Sequence, residues 1–315
     1  MGAQGPGCGR WIGADGRRRP APPVPSCQPP AASPPQLRPP SYWLHRMCTV
    51  VILRRPEHAW PLLLAANRDE LRARASQPPA RHWPDRPDVV AGLDELADGS
   101  WLGVNDHGVV AAVLNRTGTL GPEPGRRSRG ELVLEALDHA EARAAAGALA
   151  DLYPGAYRPF NLLIADPKDC YWVRHGGDDE IRVHAIPPGL HMLTAGDLDD
   201  PAEPRIAAFL PAFRAVAPPA PSADGGDWRG WIELLGRRAA DDAPLAARLA
   251  AMTLDHIQVD GGDYGTRASS LIAIPAYPGF DALPVFLHAD GPPDRTAFRP
   301  VAMTAPDDSQ TPDHA

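Results

Sequence analysis

The first 46 residues show neither the two-residue period of a strand nor the 3.6-residue period of a helix, and the pattern changes at once after Arg46. Cys48–Leu53 is a β-branched apolar run, and Pro61–Ala66 is a second one, separated from it by a polar stretch containing Pro56. Runs of this length and composition predict a pair of buried strands. Ser100–Val104, the polar turn Asn105–Gly108 and Val109–Leu114 predict a hairpin. Ser128 and Glu131 have the spacing of a capping box. Leu132, Leu134, Ala136 and Leu137 follow on one face, so a helix is predicted over about 129–150.

Four further strands are predicted near 161–165, 171–174, 181–185 and 191–194, then helices near 203–216, 228–240 and 243–252. Strands return at 266–274, 283–288 and 297–303. Strand pairs, a helix, more strands, helices and strands again predict an α+β domain, with sheets packed face to face and covered by helices. The domain is expected over 47–303, with a polar tail at 304–315.

Composition isolates the beginning of the chain. Eleven of its 39 prolines fall within residues 1–46, a Pro, Gly, Ala and Arg mixture too poor in aliphatic side chains to offset its own ordering entropy. Without a continuous apolar core, the segment does not fit a secretory signal. Its arginines fit a transit peptide, but its prolines would break an amphipathic helix. Three origins stand: translation from Met47, a disordered extension, or a targeting or processed segment. The cysteines, at 8, 27, 48 and 170, contain no C-x-x-C pair, which argues against a zinc site or disulfide framework and makes a reducing cytoplasm the default.

Charge divides at the same place. Residues 1–46 carry six Arg and one Asp, a net of +5; the rest carries 25 basic and 38 acidic side chains, a net of −13. A body this acidic is a poor partner for nucleic acid, and no apolar run approaches the roughly 18 residues that span a bilayer. Walker, G-x-G-x-x-G, G-x-S-x-G and H-E-x-x-H motifs are absent. His175, His184 and His191 lie on or near consecutive predicted strands, but such histidines are more often unrelated side chains. No metal and no cofactor are expected.

Cys48 follows Met47, and removal of an initiator methionine before a small residue would leave a free α-amine on the residue that carries the thiol. With reference pKa values of about 7.7–8.0 and about 8.5, the amine can take the thiol proton near neutrality. Asn67-Arg68-Asp69-Glu70 supplies acid and cation at the end of the next strand, a position an antiparallel pair returns to the neighbourhood of Cys48. Asn115, ending the strand from Val109, is a candidate amide donor. Each has a plainer reading: a cysteine opening a strand as a small hydrophobe, an acidic helix start, and a turn former.

The chain resembles the NRDE family, named for the tetrapeptide at 67–70, which includes the eukaryotic transport-and-Golgi-organisation proteins. The resemblance rests also on Met47-Cys48-Thr49, on Gly99–Asn105 with Gly108, and on Leu114-Asn115-Arg116. Ser128-Arg129-Gly130, Pro159–Leu162 and Tyr264-Gly265-Thr266-Arg267 complete it, so that it covers about 47–275. That family is similar in turn to N-terminal-nucleophile amidohydrolases such as bile salt hydrolases and penicillin acylases. The resemblance implies a four-layer αββα sandwich of two antiparallel sheets, and hydrolysis of a non-peptide C–N amide bond. It implies Cys48 as nucleophile, Arg68 and Asp69 as the residues that orient it, and Asn115 in the oxyanion hole. Asn67, Arg116 and Arg267 are then candidate substrate-binding positions.

Two departures are visible. The hydrolases carry Arg-x-x-Asp, whereas Arg68 and Asp69 are adjacent and would face opposite sides of a strand. They also place a second Asn after Leu-Thr, where this chain reads Leu193-Thr194-Ala195-Gly196. Two functions therefore stand: an amidohydrolase acting on a small-molecule amide, or a non-catalytic carrier of a ligand such as haem. In a carrier, Cys48 or a histidine would ligate iron and Arg68, Arg116 or Arg267 would meet the propionates. Haem enters through the family alone, since some members are implicated in its trafficking.

Overall fold

From Thr49 the chain runs as β1 (Thr49–Arg54) and returns as β2 (Leu62–Leu71), the expected antiparallel pair, with Thr49 opposite Asn67 and Arg54 opposite Leu62. The computed structural model describes residues 48–259, 261–278 and 282–304. The extension 1–46, Met47 and the tail beyond 304 lie outside the described residues, as do the expectations placed on them. After β2 come β3 (Ser76–Ala80), β4 (Val89–Asp94), β5 (Leu102–Asn105) and β6 (Val110–Asn115). Helices α1 (Gly130–Leu137) and α2 (Ala142–Ala150) precede β7 (Phe160–Ala165), β8 (Cys170–His175), β9 (Ile181–Ala185) and β10 (Gly189–Leu193). Helices α3 (Pro204–Ala215), α4 (Arg229–Leu235) and α5 (Leu245–Ala250) lead into β11 (Ile257–Val259), β12 (Gly262–Ile274), β13 (Val285–Ala289) and β14 (Arg299–Pro300).

Two antiparallel sheets result. The first has the order β10-β1-β2-β12-β13-β14, with β11 also paired to β12; the second runs β3 to β9 in chain order. Period-2 alternation assigns their faces. Val50, Ile52, Leu62 and Leu64 meet Val104, Val110, Ala112 and Leu114 in a core between the sheets. Their neighbours Val51, Leu53, Leu63 and Ala65 pack outward on Ile206, Phe213 and Trp231 of α3 and α4. On the other side, Ala111, Leu162 and Ile164 pack on Leu132, Val133 and Leu149 of α1 and α2. The layers are therefore helix, sheet, sheet, helix, the expected αββα sandwich.

Several boundaries correct the sequence reading. The tetrapeptide 67–70 is strand and not a helix start, because every residue of it pairs with β12, from Ser269 opposite Asn67 to Gly265 opposite Glu70. The helix expected over 129–150 is two. Asn105 Nδ2 donates to the carbonyls of Leu137 (2.8 Å) and His139 (2.7 Å), supplying donors to the end of α1 that a continuing helix would not need. Ser128 Oγ accepts from Gly130 N (3.1 Å) and α1 has no side-chain cap bond, so the capping box is not formed as read. Likewise α4 stops at Leu235, whose carbonyl accepts from Asn67 Nδ2 (3.1 Å) and Thr253 Oγ1 (2.7 Å). β3 contains two prolines and sits at a sheet edge, where missing N–H donors are tolerated and the sequence signal for a strand is weak.

Candidate active site

The register Thr49–Asn67 and Val50–Ala66, extended by one, sets Cys48 opposite Arg68, both on the face that looks toward the second sheet. Cys48 is half-buried, and its thiol donates to the Asp69 carbonyl at 3.6 Å. Burial, and next to it the Asp69 carboxylate, push the Cys48 pKa up to about 12, so the thiol is protonated at neutral pH in this setting.

Arg68 is 5% exposed, although it is a cation in a largely apolar layer. Its Nη1 donates to Ser76 Oγ at 3.0 Å, and its guanidinium lies 4.2 Å from the centre of the Trp101 ring. Gly92 makes room for that ring: a Cβ there would fall 2.3 Å from Trp101. No carboxylate of the described residues lies within ion-pair distance of Arg68, and burial lowers its pKa. Cys48, Arg68, Trp101 and Asn115 line one cleft of about 390 Å³, whose far wall is the Ser128–Gly130 start of α1. Gly99 brings that wall close, since its own Cβ would meet Gly130 at 2.7 Å, and Ser100 N donates to the Gly130 carbonyl at 3.0 Å.

Asn67 and Asp69 point the other way, toward the helices. Asn67 Nδ2 donates to the Leu235 and Met252 (2.8 Å) carbonyls, and its Oδ1 accepts from Ser269 Oγ at 2.7 Å. Asp69 Oδ1 accepts from Thr266 Oγ1 at 2.6 Å and Oδ2 from Arg205 Nη1 at 2.9 Å, an ion pair with both side chains buried. Burial raises the Asp69 pKa, opposed by Arg205. Arg205 also donates to Thr49 Oγ1 (2.8 Å), and Tyr264 Oη donates to the Asp69 carbonyl (2.8 Å), the same oxygen that accepts the Cys48 thiol's hydrogen bond.

Cys48, Arg68 and Asn115 thus meet in one cleft, and Asp69 reaches it only through its backbone. Asn67 does not line it; its amide is engaged between β2 and the helices. Arg116 donates to Asn161 Oδ1 (2.7 Å) and pairs with Asp197 (2.7 Å), outside the cleft lining. Arg267 sits at the irregularity between Thr266 and Ala268 where the pairing of β12 with β2 shifts, and it also does not line the cleft. The Thr194 and Gly196 carbonyls accept from Asn161 Nδ2 (2.8 and 2.7 Å), which gives Asn161 the job of holding the 194–196 turn. His175, His184 and His191 are occupied separately, against Phe160, against Trp172 and on Asp199 at 2.6 Å. Among the described residues no group of three or more His, Cys, Asp or Glu is placed to hold a metal ion.

Sequence reasoning missed Arg205, Thr266, Trp101, Gly92 and Arg129. Trp101, Arg129 and Thr266 were inside the family motifs but had no assigned chemistry. Arg205 carried no local signal, since a helical arginine reads as surface.

A family model described as Transport and Golgi organisation 2 matches residues 47–277. The Transport and Golgi organization 2 homolog of Mus musculus is 31% identical over 163 residues, covering 46% of this chain and 54% of that protein. The Homo sapiens homolog gives the same identity and coverage, so the match spans about half the length of these relatives. Among solved structures, the Caenorhabditis elegans N-acylethanolamine-hydrolyzing acid amidase ortholog is 12% identical, with a TM-score of 0.46 over 74% of this chain and 94% of that one. A mutant of the conjugated bile acid hydrolase from Clostridium perfringens is 9% identical, with a TM-score of 0.41 over 82% of this chain and all of that one. No helix of the described residues is long and apolar enough to cross a membrane.

Proposed function

Since the chain belongs to the Transport and Golgi organisation 2 family, we propose that it hydrolyses a non-peptide C–N amide bond of a small molecule, with Cys48 as nucleophile. One observation carries the reading: Cys48, the buried Arg68 with no ion pair among the described residues, and Asn115 all line one cleft.

A thiol held near pKa 12 does not attack by itself. No histidine or carboxylate of the described residues is hydrogen-bonded to Sγ, so the base in this reading is the α-amine that Cys48 carries once the residue before it is removed. The amine takes the thiol proton and Sγ bonds to the amide carbon. The resulting oxyanion is held by donors that include Asn115 Nδ2. The ammonium then protonates the leaving nitrogen, the C–N bond breaks and a thioester remains. Water, deprotonated by the same amine, releases the acid and restores the thiol. Arg68 orients the substrate; Asp69, fixed by Arg205 and Thr266, holds the carbonyl that positions the thiol. A free thiol nucleophile is consistent with a reducing, cytoplasmic setting.

The test is product release. Chains that begin at Cys48, with and without Cys48→Ala, are incubated with a panel of N-acyl amides and the freed acid is measured. Release only by the chain that keeps Cys48 is expected. Equal release by both, or binding of the amides with no release, would sink the hydrolase and leave a carrier.

A further inference from the structure

The charges of the cleft do not balance. Its lining holds six arginines, at 68, 74, 126, 127, 129 and 158, against three carboxylates, Glu70, Asp94 and Glu123, a net of +3 in a chain whose net charge is −8. Several of these cations are already answered: Arg74 pairs with Asp94 at 2.7 Å, Arg158 with Glu123 at 3.2 Å, and Arg127 with Glu131 at 2.7 Å. Arg126 stands exposed at the lip and donates to backbone carbonyls.

Among the described residues Arg68 and Arg129 make no ion pair; Glu70, which lines the same cleft, acts on both by its charge alone. Arg129 donates to Thr119 Oγ1 (2.9 Å) and to the carbonyls of Pro159 (3.0 Å) and Gly121 (3.4 Å), all neutral acceptors. Burial, with Arg158 next in effect, brings its pKa down to about 10, so it stays cationic at neutral pH. Arg68 is buried and Arg129 partly so, and a cation drawn out of water calls for a negative partner. A second feature points the same way: Ser128-Arg129-Gly130, where α1 begins, forms part of the wall, and the start of a helix is the positive end of its dipole.

We infer that the cleft takes an amide bearing an oxyanion group, a carboxylate or a phosphate, which docks between Arg129 and Arg68 while the amide lies over Cys48. This deepens the amidohydrolase reading and names its substrate class, N-acyl compounds with an acidic head.

The full chain carrying Cys48→Ala is titrated with N-dodecanoylglycine, N-dodecanoyl-O-phosphoethanolamine and N-dodecanoylethanolamine. At least one acidic ligand is expected to bind about 10-fold or more tightly than the neutral one, as a charge-assisted hydrogen bond provides. Whichever acid binds better identifies the carboxylate or the phosphate as the source. Adding Arg129→Gln should bring the acids down to the affinity of the neutral ligand and leave that ligand unchanged, whereas Arg129→Lys should retain part of the preference. If either variant fails to fold, the wild-type cleft still decides, since raised salt must weaken the acids alone. Equal binding of acidic and neutral ligands, binding of none, or a preference that survives Arg129→Gln overturns the proposal. The titration needs no turnover, so acid-selective binding by a protein that releases no product would sink only the hydrolase reading.

Discussion

The two faces of β2 between Asn67 and Glu70 carry similar residues in opposite conditions. On the helix side, Asn67 makes three side-chain hydrogen bonds and Asp69 is matched to Arg205 and Thr266. On the side facing the second sheet, Arg68 is as buried, yet has one hydroxyl, one ring and no carboxylate. Buried polar groups whose bonds are all made inside the protein specify a fold. One left open beside a thiol, in a cleft, specifies a ligand. The family tetrapeptide therefore mixes two kinds of residue: Asn67 and Asp69 build the strand's seat, and Arg68 faces the cleft that Cys48 lines.

The contrast can be broken by mutation, and the largest effect belongs to the saturated face. Asp69→Ala removes the carboxylate from a buried ion pair and should cost about 3–5 kcal/mol in denaturant unfolding. A change under about 1 kcal/mol would mean the pair is no more than a surface one. Asn67→Leu, which leaves the Leu235 and Met252 carbonyls without this donor, should cost about 2–3 kcal/mol by the same measurement. Its activity, per folded molecule, should be retained. Arg68→Met sharpens the comparison from the other side. Stability should change by less than about 1 kcal/mol, or rise, because an uncompensated buried charge is removed, while hydrolysis falls about 100-fold. Loss of folding with Arg68→Met would put it among the structural residues.

The smallest effect concerns a shallower site. Asp255 accepts from Arg72, Arg238 and Arg295 near the surface. Burial pushes its pKa up, but Arg295 and Arg238 hold it down, to about 2. A depressed folded-state pKa contributes stability that is present above the unfolded value of about 3.9 and is lost as pH falls through about 2. Acid unfolding of Arg295→Gln should therefore begin at higher pH than that of the wild type; superimposable curves would show that the network contributes nothing.

Much of this was legible in the chain, for physical reasons that differ by element. β1, the first half of β2 (62–66) and the β5–β6 hairpin were readable because their buried stretches are continuous apolar runs, whereas the polar second half of β2 was not. The layering followed from the order of strands and helices. The break between α1 and α2 was not readable, since it is imposed by Asn105, 32 residues before Leu137. β3 was missed because its prolines mimic a loop. At the site, the adjacency of Arg68 and Asp69 predicted their opposite faces from period 2 alone. What no local pattern holds is the identity of their partners. Arg205 lies 136 residues from Asp69, and Trp101 reaches Arg68 from the opposite sheet.

The central claim is that Cys48 is a nucleophile that waits for its own α-amine. Intact mass and peptide mapping after exposure to a β-lactam or activated-amide probe test it most directly, on a chain beginning at Cys48 and on the same chain with one residue ahead of it. One acyl group on Cys48 of the first protein, and none on the second, is the predicted result. Equal labelling of both would contradict the claim, and so would labelling of neither at a concentration that saturates the cleft.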